Sequence, residues 1–237
     1  MKIEKQPLDL YTFYRQWFSD HVSDETVAWV ASHSRVETKE KGEILFGPTV
    51  DDSPVFYLLL EGVVKTYVIS PNGVENTYAI YDQPGFSMSL TTQMINETGL
   101  YMEALTPSRL IHLVGTGPFE LAEEFPDLWR ELTFGFMNYF TRMMDKLRAG
   151  YTLSAKERYL WFLNKYPDVA DKISQVEVAN FLGIKPQSLS RIRSELEEES
   201  IELPPENCNL ISKHRFTEPG SHFISFVLGM LLFPTFY

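Results

Sequence analysis

The chain has 237 residues, of which 44% are hydrophobic and 14% aromatic, enough to build a sizeable core in one large domain or two smaller ones. Its single cysteine, Cys208, excludes an intramolecular disulfide and any iron–sulfur cluster or zinc site that needs several cysteines from one chain. The net charge of −11 would repel the phosphates of a nucleic acid and so argues against nucleic acid as a partner.

The first half of the sequence predicts two helices followed by short strands. Leu10, Phe13, Tyr14 and Trp17 recur at helical spacing, and Ser23 is a good N-cap for a second helix over residues 25–33. From residue 35 to residue 114, Gly and Pro separate short apolar runs. They predict about eight short strands in a small antiparallel barrel, with a hairpin at Pro71-Asn72-Gly73 and a turn or bulge at Glu61-Gly62.

A long helix is predicted after Phe125-Pro126-Asp127, ending at Gly150. Its apolar residues follow steps of three and four. Two interpretations remain open at this point, since the apolar residues could cover the barrel or form a seam with a second copy of the chain. The candidate seam residues are Phe136, Met137, Phe140, Met143, Met144 and Leu147.

Three shorter helices are predicted beyond Gly150. Ser154 with Glu157, and Ser174 with Glu177, have the S-x-x-E spacing of a capping box. The helix over 155–166 ends before Pro167, a helix over 175–182 ends at Gly183, and a last helix runs from Pro186 to about residue 199. Two short helices joined through Gly183 are a candidate helix-turn-helix, because glycine accepts the positive φ of a tight turn.

The last of these helices lies in a basic segment. Residues 142–193 carry 10 Lys and Arg against 5 Asp and Glu, whereas the segments on either side are acidic. Gln187, Ser190 and Arg191 share one helical face, and these side chains suit the base edges of a major groove. Lys185, at the start of this helix, is suited to contact a phosphate beside the free N–H groups. The full set of candidate DNA-binding residues is Lys185, Gln187, Ser188, Ser190, Arg191 and Arg193. An ordinary amphipathic helical hairpin with a solvated face is the alternative.

The order of barrel, long helix and helix-turn-helix resembles the Crp/Fnr (cyclic AMP receptor protein/fumarate-nitrate reduction regulator) family of bacterial transcription regulators. The resemblance covers residues 11–196 and is sharpest in LSAKERYLWFLNKYP, at 153–167, and VANFLGIKPQSLSRIRSEL, at 178–196. The family reads bases with a set of Glu, Ser and Arg type, which falls on Gln187, Ser190 and Arg191. Gln in place of Glu implies a departure from the family's usual half-site.

The resemblance implies an α+β architecture. Residues 1–117 would form a cyclic-nucleotide-binding-like, jelly-roll barrel with N-terminal helices, 118–150 a dimerisation helix, and 151–200 the DNA-binding domain. Residues 201–237 would be an extension of unknown role. It also implies a cytoplasmic homodimer on double-stranded DNA, with RNA polymerase as a further partner if the protein activates transcription. A ligand-binding barrel whose helical C-terminal domain contacts another protein is the alternative function.

The sequence departs from the resemblance at the residues that would hold a cyclic nucleotide. Family members that bind one hold it with a Gly-Glu pair and an Arg-Ser pair. Here Gly85 has no Glu close behind it, and no Arg lies between Gly85 and Arg109, so a cyclic phosphate would lack its charged partner. We predict no tight binding of cyclic AMP. Candidate residues for another small molecule are Tyr78, Gly85, Ser87, Ser89 and Tyr101, although ordinary barrel positions would explain them as well.

No cofactor, metal or catalytic site is predicted. The sequence has no G-x-S-x-G, P-loop or G-x-G-x-x-G motif. A cupin metal site needs two or three histidines, and the strand region offers only His112. A haem would need an axial ligand, for which His21, His33 and His112 are weak candidates, because packed or solvated histidines are far commoner. We therefore predict that the chain is not an enzyme.

The ends of the chain carry no signal for a membrane. The N-terminal residues lack the apolar core of a signal peptide, and the apolar run over 223–237 is too short to span a bilayer. A lone cysteine fits a reducing compartment, so we predict a cytoplasmic protein without a membrane partner. The role of the apolar run remains open, because it could cover the DNA-binding domain, contact the barrel, bind a partner or have no function.

Overall fold

The computed structural model describes residues 8–48 and 55–198. The residues predicted as a C-terminal extension, 201–237, lie outside this range. Helices begin the described chain, two sheets follow, and helices end it. The helices are α1 (Leu10–Trp17), α2 (Asp24–Ser32), α3 (Thr92–Thr98), α4 (Pro118–Glu124), α5 (Trp129–Thr152), α6 (Ala155–Lys165), α7 (Gln175–Leu182) and α8 (Pro186–Glu198). The strands are β1 (Ser34–Lys39), β2 (Ile44–Phe46), β3 (Val55–Glu61), β4 (Val64–Ile69), β5 (Glu75–Tyr81), β6 (Ser87–Leu90), β7 (Leu100–Ala104) and β8 (Ser108–Leu113).

The eight described strands form two antiparallel four-stranded sheets. One has the order β1-β8-β3-β6 and the other the order β2-β7-β4-β5, which is a jelly-roll arrangement. The strand spacing predicts a small antiparallel barrel, and the resemblance implies one of jelly-roll type. In the described residues no ladder joins one sheet to the other, so the domain is a β-sandwich rather than a closed barrel. The chain crosses between the sheets several times, and the inner faces of the two sheets are buried against each other.

Aromatic and aliphatic side chains fill the space between the two sheets. The interior cluster includes Tyr57, Tyr81, Phe86 and Met102, all buried. The rings of Tyr81 and Phe86 stack with their centroids 3.8 Å apart, and Thr66 lies within 3.5 Å of the Tyr81 hydroxyl. Burial raises the pKa of Tyr81 well above its ordinary value, so the phenol stays neutral.

A second cluster covers the outer face of the first sheet. Helices α1, α2 and α4 and the start of α5 pack on β3 and β8 there, through residues such as Tyr14, Val27, Leu58 and Leu121. The hydroxyl of Tyr14, fully buried, lies 2.9 Å from Ser34 Oγ. The aromatic spacing that predicts α1 is therefore the spacing of its buried face.

The predicted turns are confirmed, and one helix is missed by the sequence analysis. Gly73 has a φ of +80° in the β4–β5 hairpin, and the β3–β8 ladder shifts register between Leu59 and Glu61. The short helix α3 falls where only strands are predicted. Its ends carry ordinary signals, because the hydroxyl of Thr91 accepts from the Met94 N–H and Gly99 ends the helix at a φ of +65°.

The long helix α5 runs two residues beyond the predicted end. Gly150 does not end it, because the helical hydrogen bonds continue and the Leu153 N–H donates to the Ala149 carbonyl. Glycine is tolerated at this exposed interior position, at a cost of about 1 kcal/mol relative to alanine. A single turn of 3-10 helix, Pro126–Leu128, leads into α5 where the sequence predicts the start.

Helices α6, α7 and α8 pack together and against the outer face of the second sheet. The capping box of Ser154 and Glu157 is confirmed, with both reciprocal bonds present. Val63, Ile80 and Leu105 of the sandwich share one apolar cluster with Phe162 and Phe181 of these helices. No helix in the described residues combines the length and the apolar character needed to cross a membrane.

Candidate nucleic-acid interface

The exposed face of α8 carries the side chains that the sequence analysis singles out for base contacts. Gln187, Ser190 and Arg191 are all exposed, while Leu189 and Ile192 on the opposite face are buried. The sequence fixes this orientation, because apolar residues at i and i+3 hold one face against the core. Lys185 is exposed just before α8, and its carbonyl accepts the first helical hydrogen bonds.

Two other predicted DNA-binding residues are less accessible. Ser188 and Arg193 are half-buried. Arg193 follows Leu189 by four residues, so it leaves the buried side of α8 and lies near Tyr159. Burial raises the pKa of Tyr159, and the charge of Arg193 opposes that rise. Arg193 is therefore better placed to support the helix packing, or to reach a phosphate, than to read a base.

The turn before α8 has the geometry that the sequence predicts. Gly183 has a φ of +65°, and its N–H bonds back to the carbonyl of Asn180. Ala179 is fully buried, and its carbonyl accepts from the Ile184 N–H. A side chain on Gly183 would be strained at this φ, so the turn depends on glycine.

An exposed apolar stripe runs along α5. Its members recur at steps of three, four or seven residues, and each keeps 41–83% of its surface exposed. They are Trp129, Phe136, Phe140, Met144, Leu147 and Tyr151. Of the predicted seam residues, four belong to this stripe, whereas Met137 and Met143 are half-buried. Large apolar side chains in one contiguous row are typical of a surface that another protein covers.

Solved structures share the fold of this chain, but their sequences are only distantly similar to it. Neither family models nor curated protein sequences match the chain. A protein from Eubacterium rectale assigned to the Crp/Fnr family of transcriptional regulators is 17% identical, with a TM-score of 0.62 over 75% of this chain and 85% of its own. The chain has the fold of the Crp/Fnr regulators. FixK2 from Bradyrhizobium japonicum is 18% identical, with a TM-score of 0.58 over 71% of this chain and 86% of its own.

The same fold is shared by a protein described as a regulator that responds to a small molecule. The c-di-GMP-responsive global regulator CLP from Xanthomonas campestris is 12% identical. Its TM-score is 0.57 over 75% of this chain and 93% of its own. At such identities the Crp/Fnr fold is established, and the ligand of this chain has to be inferred from its own residues.

A buried lysine joins the Crp/Fnr sandwich to the C-terminal helices. Lys65 of β4 is 1% exposed, and its ammonium lies 2.8 Å from Glu75 and 3.5 Å from Glu103 of the same sheet. The third carboxylate is that of Glu177 in the first turn of α7, 3.0 Å away. Burial would lower the pKa of Lys65, but the three carboxylates raise it above its ordinary value. Lys65 therefore stays charged and holds α7 on the sheet.

This contact corrects the role that the sequence suggests for Glu177. The spacing of Ser174 and Glu177 predicts a capping box, and the Ser174 hydroxyl does accept from the Glu177 N–H at 3.2 Å. The carboxylate of Glu177, however, bonds to Lys65. The sequence analysis missed Lys65, although a lone lysine inside the apolar run VVKTYVIS was a usable signal, since lysines are seldom buried without partners.

A second lysine brings α5 into the same junction. The Lys146 ammonium donates to the Thr77 carbonyl of β5 and lies 4.9 Å from the centroid of the Phe181 ring in α7. Burial lowers the pKa of Lys146 to about 8. The long helix, the sandwich and the C-terminal helices thus meet at one partly desolvated ammonium group.

Lys146 gives the stability of the protein a specific pH dependence. Between its folded-state pKa of about 8 and its unfolded value of about 10.4, the unfolded chain binds the extra proton, so stability rises with pH. We expect the free energy of unfolding in urea to rise about 2 kcal/mol less between pH 7.5 and 9.5 in Lys146→Met than in the wild type. The exposed-site variant Lys172→Met serves as the control and should follow the wild type. Parallel curves for all three proteins would refute the assignment.

The predicted effector residues do not meet in one pocket. Tyr78 and Tyr101 lie on the second sheet, where Tyr101 stacks on Tyr67 with centroids 5.3 Å apart. Gly85 precedes β6 and has a φ of +84°, and Trp17 lies beside it. Ser87 lines a cavity outside the sandwich, and the side chain of Ser89 falls outside the described part of the structure. The sequence could not separate the inner from the outer residues of these short strands.

The strand histidine has an ordinary structural environment. His112 Nδ1 lies 2.9 Å from a carboxylate oxygen of Glu37, and its ring stacks on Tyr57. Burial would raise the pKa of Glu37, but hydrogen bonds from His112 and Arg35 and the charge of Lys39 hold it at about 2. Within the described residues, no group of three or more His, Cys, Asp or Glu side chains could hold a metal ion.

Proposed function

We propose that the protein is a transcription regulator of the Crp/Fnr type, which binds a two-fold DNA operator as a homodimer under the control of a small molecule. The observation that carries this proposal is the exposed face of Gln187, Ser190 and Arg191 on α8. It projects from a packed three-helix unit within the basic segment of an otherwise acidic chain. In this reading α7 and α8 are a helix-turn-helix, and α8 is its recognition helix.

The chemistry of this face fits the major groove of DNA. An arginine can donate two hydrogen bonds to O6 and N7 of guanine, and a glutamine can form two bonds with adenine. A serine hydroxyl serves a base edge or a phosphate. Lys185 at the start of α8 would approach the backbone, where positive charge and helix N–H groups favour phosphate.

Dimerisation through α5 would complete the regulator. One recognition helix contacts only a few base pairs, and two copies on a two-fold site multiply the specificity. The exposed apolar stripe on α5 supports a parallel seam between the copies. Within this proposal residues 1–117 form the sensor, 118–150 the dimerisation helix and 151–200 the DNA-binding domain, and the protein acts by binding rather than by catalysis.

A cyclic nucleotide does not fit this sensor well. The sandwich interior is filled by rings such as Tyr57, Tyr81 and Phe86. The segment between Gly85 and Arg109 has no arginine to meet a phosphate. Arg142 of α5 does reach the sandwich, but it lies over the Tyr81 and Phe86 rings, 5.9 and 5.5 Å from their centroids. These observations favour an effector of a different class.

Replacing Arg191 tests the proposed reading of DNA. We expect Arg191→Ala to weaken binding to the preferred operator by about 1–3 kcal/mol, and to relax specificity at one base pair of each half-site. Fluorescence anisotropy with the operator and with single-base variants measures both effects.

Arg148→Ala is the matched control, because it removes the same charge from an exposed position on α5. It should leave specificity unchanged. If Arg191→Ala and Arg148→Ala behave alike and DNA affinity is weak throughout, α8 is not a base reader. The helical domain would then be better explained as a contact surface for another protein.

A further inference from the structure

A sizeable cavity lies outside the sandwich, between the first sheet and the helices. Its volume is about 310 Å³, and it lies between β3, β6 and β8 on one side and α1, α4 and α5 on the other. Its volume is at the lower end of the roughly 300–1,000 Å³ typical of small-molecule sites. Protein interiors are otherwise packed with few voids larger than a water molecule, so a cavity of this size is a candidate site for a small molecule.

The wall that α5 contributes is built around a glycine. Gly135 faces β6 so closely that a Cβ on it would lie 3.0 Å from Ser87 Oγ. Leu132 and Tyr139, about one turn away on either side, line the same cavity. Gly135 and Ser87 thus let the helix approach the strand, and the larger side chains around them leave the apolar space open.

The lining specifies the chemistry of the occupant. Most of it is aromatic or aliphatic, including Trp17, Phe56 and Phe119, and none of the described lining residues is Lys, Arg or His. Of the polar ones, Glu131 already accepts from the Ser19 hydroxyl at 2.6 Å, and Thr133 donates to the Trp129 carbonyl at 2.7 Å. An anionic ligand would therefore be buried without a counter-charge, whereas a neutral ring system would bury its apolar surface.

The cavity also adjoins the apolar stripe of α5. Trp129 and Phe136 line it and are at the same time 48% and 55% exposed members of that stripe. A second chain lying on the stripe would close the cavity from outside. A ligand inside would support the two aromatic side chains that the second chain contacts. By linkage, occupancy of the cavity and dimerisation then favour each other.

We infer that this cavity is the effector site, that it takes a small neutral molecule of one or two aromatic rings, and that its occupancy strengthens the dimer. The inference rests on the proposed function for the meaning of the dimer. The site itself rests only on the shape and lining of the cavity.

The test compares two fluorescent probes that share a ring system and differ in charge. Neutral N-phenyl-1-naphthylamine should bind the full chain with one site per protomer, and the sulfonate 8-anilinonaphthalene-1-sulfonate should bind about tenfold more weakly or not at all. Leu132→Trp, which fills the cavity, and Thr133→Phe, which narrows it from an exposed position, should each weaken the neutral probe about tenfold. Val74→Trp, remote in the β4–β5 hairpin, should not.

Analytical ultracentrifugation with and without the neutral probe tests the coupling. The dimer dissociation constant should fall about tenfold at saturation. Failure of the probe to bind, or equal binding by both cavity variants and the wild type, would overturn the site. Binding without any change in dimer affinity would overturn the coupling. In either case, selection of a two-fold operator by the protein alone would still support the proposed function.

Discussion

Phe140→Glu is expected to separate the dimer and to lower operator affinity by about 10²–10⁴-fold, because a monomer binds each half-site alone and loses the gain of linked binding. Phe140 lies in the middle of the α5 stripe and is 45% exposed in the single chain. The substitution therefore places a carboxylate in the proposed seam without disturbing the core. Sedimentation at several concentrations and anisotropy on the operator measure the two losses.

The control for Phe140→Glu adds the same charge to an equally exposed apolar site. Val74, beside the β4–β5 turn, is 50% exposed and distant in sequence from the stripe. Val74→Glu should leave both the dimer and the operator affinity within about threefold of the wild type. A Phe140→Glu protein that remains dimeric at micromolar concentration would show that the stripe is not the seam.

Lys65→Met is expected to lower the free energy of unfolding by about 3 kcal/mol, at the lower end of the loss for breaking a buried ion pair. Three carboxylates would lose the ammonium between them, although each keeps partial access to water. The raised pKa of Lys65 sets the pH range of its contribution, which is complete below about pH 10.4 and is lost as the pH rises through the folded-state pKa.

Two further variants separate charge from packing at Lys65. Lys39→Met removes a less buried lysine that pairs with Glu37, and should cost at most about 1 kcal/mol. Adding Glu75→Gln, Glu103→Gln and Glu177→Gln to Lys65→Met should recover part of the loss, since the unpaired carboxylates are then neutral. A loss below about 1 kcal/mol for Lys65→Met, or none recovered in the combined variant, would contradict the role assigned to this cluster.

The sequence was most informative where the local backbone geometry favours one residue type, as a helix N-terminus favours serine and a positive φ favours glycine. The capping box at Ser154, the turn at Gly183 and the hairpin at Gly73 each follow from a local requirement, and each is found in the structure. The apolar spacing of α5 predicted the helix. These features could be predicted because each depends only on residues within a few positions of one another in the sequence.

The sequence was least informative where distant segments decide the outcome. The partner of Glu177 is Lys65, 112 residues away, and no local pattern relates them. The cavity depends on how closely Gly135 approaches Ser87, which is a matter of packing between a helix and a strand. The division of strands into two sheets depends on which edges pair. Sequence spacing alone does not separate that arrangement from a closed barrel.

Selection from a random pool of duplex DNA tests the central claim most directly. The purified full chain would be used at two salt concentrations beside Arg191→Ala. The account predicts enrichment of a two-fold site with half-sites about one helical turn apart, steep loss of affinity with salt, and loss of the preferred base pair in the variant. A dimeric protein that enriches no sequence at either salt concentration would contradict the claim that α8 reads DNA.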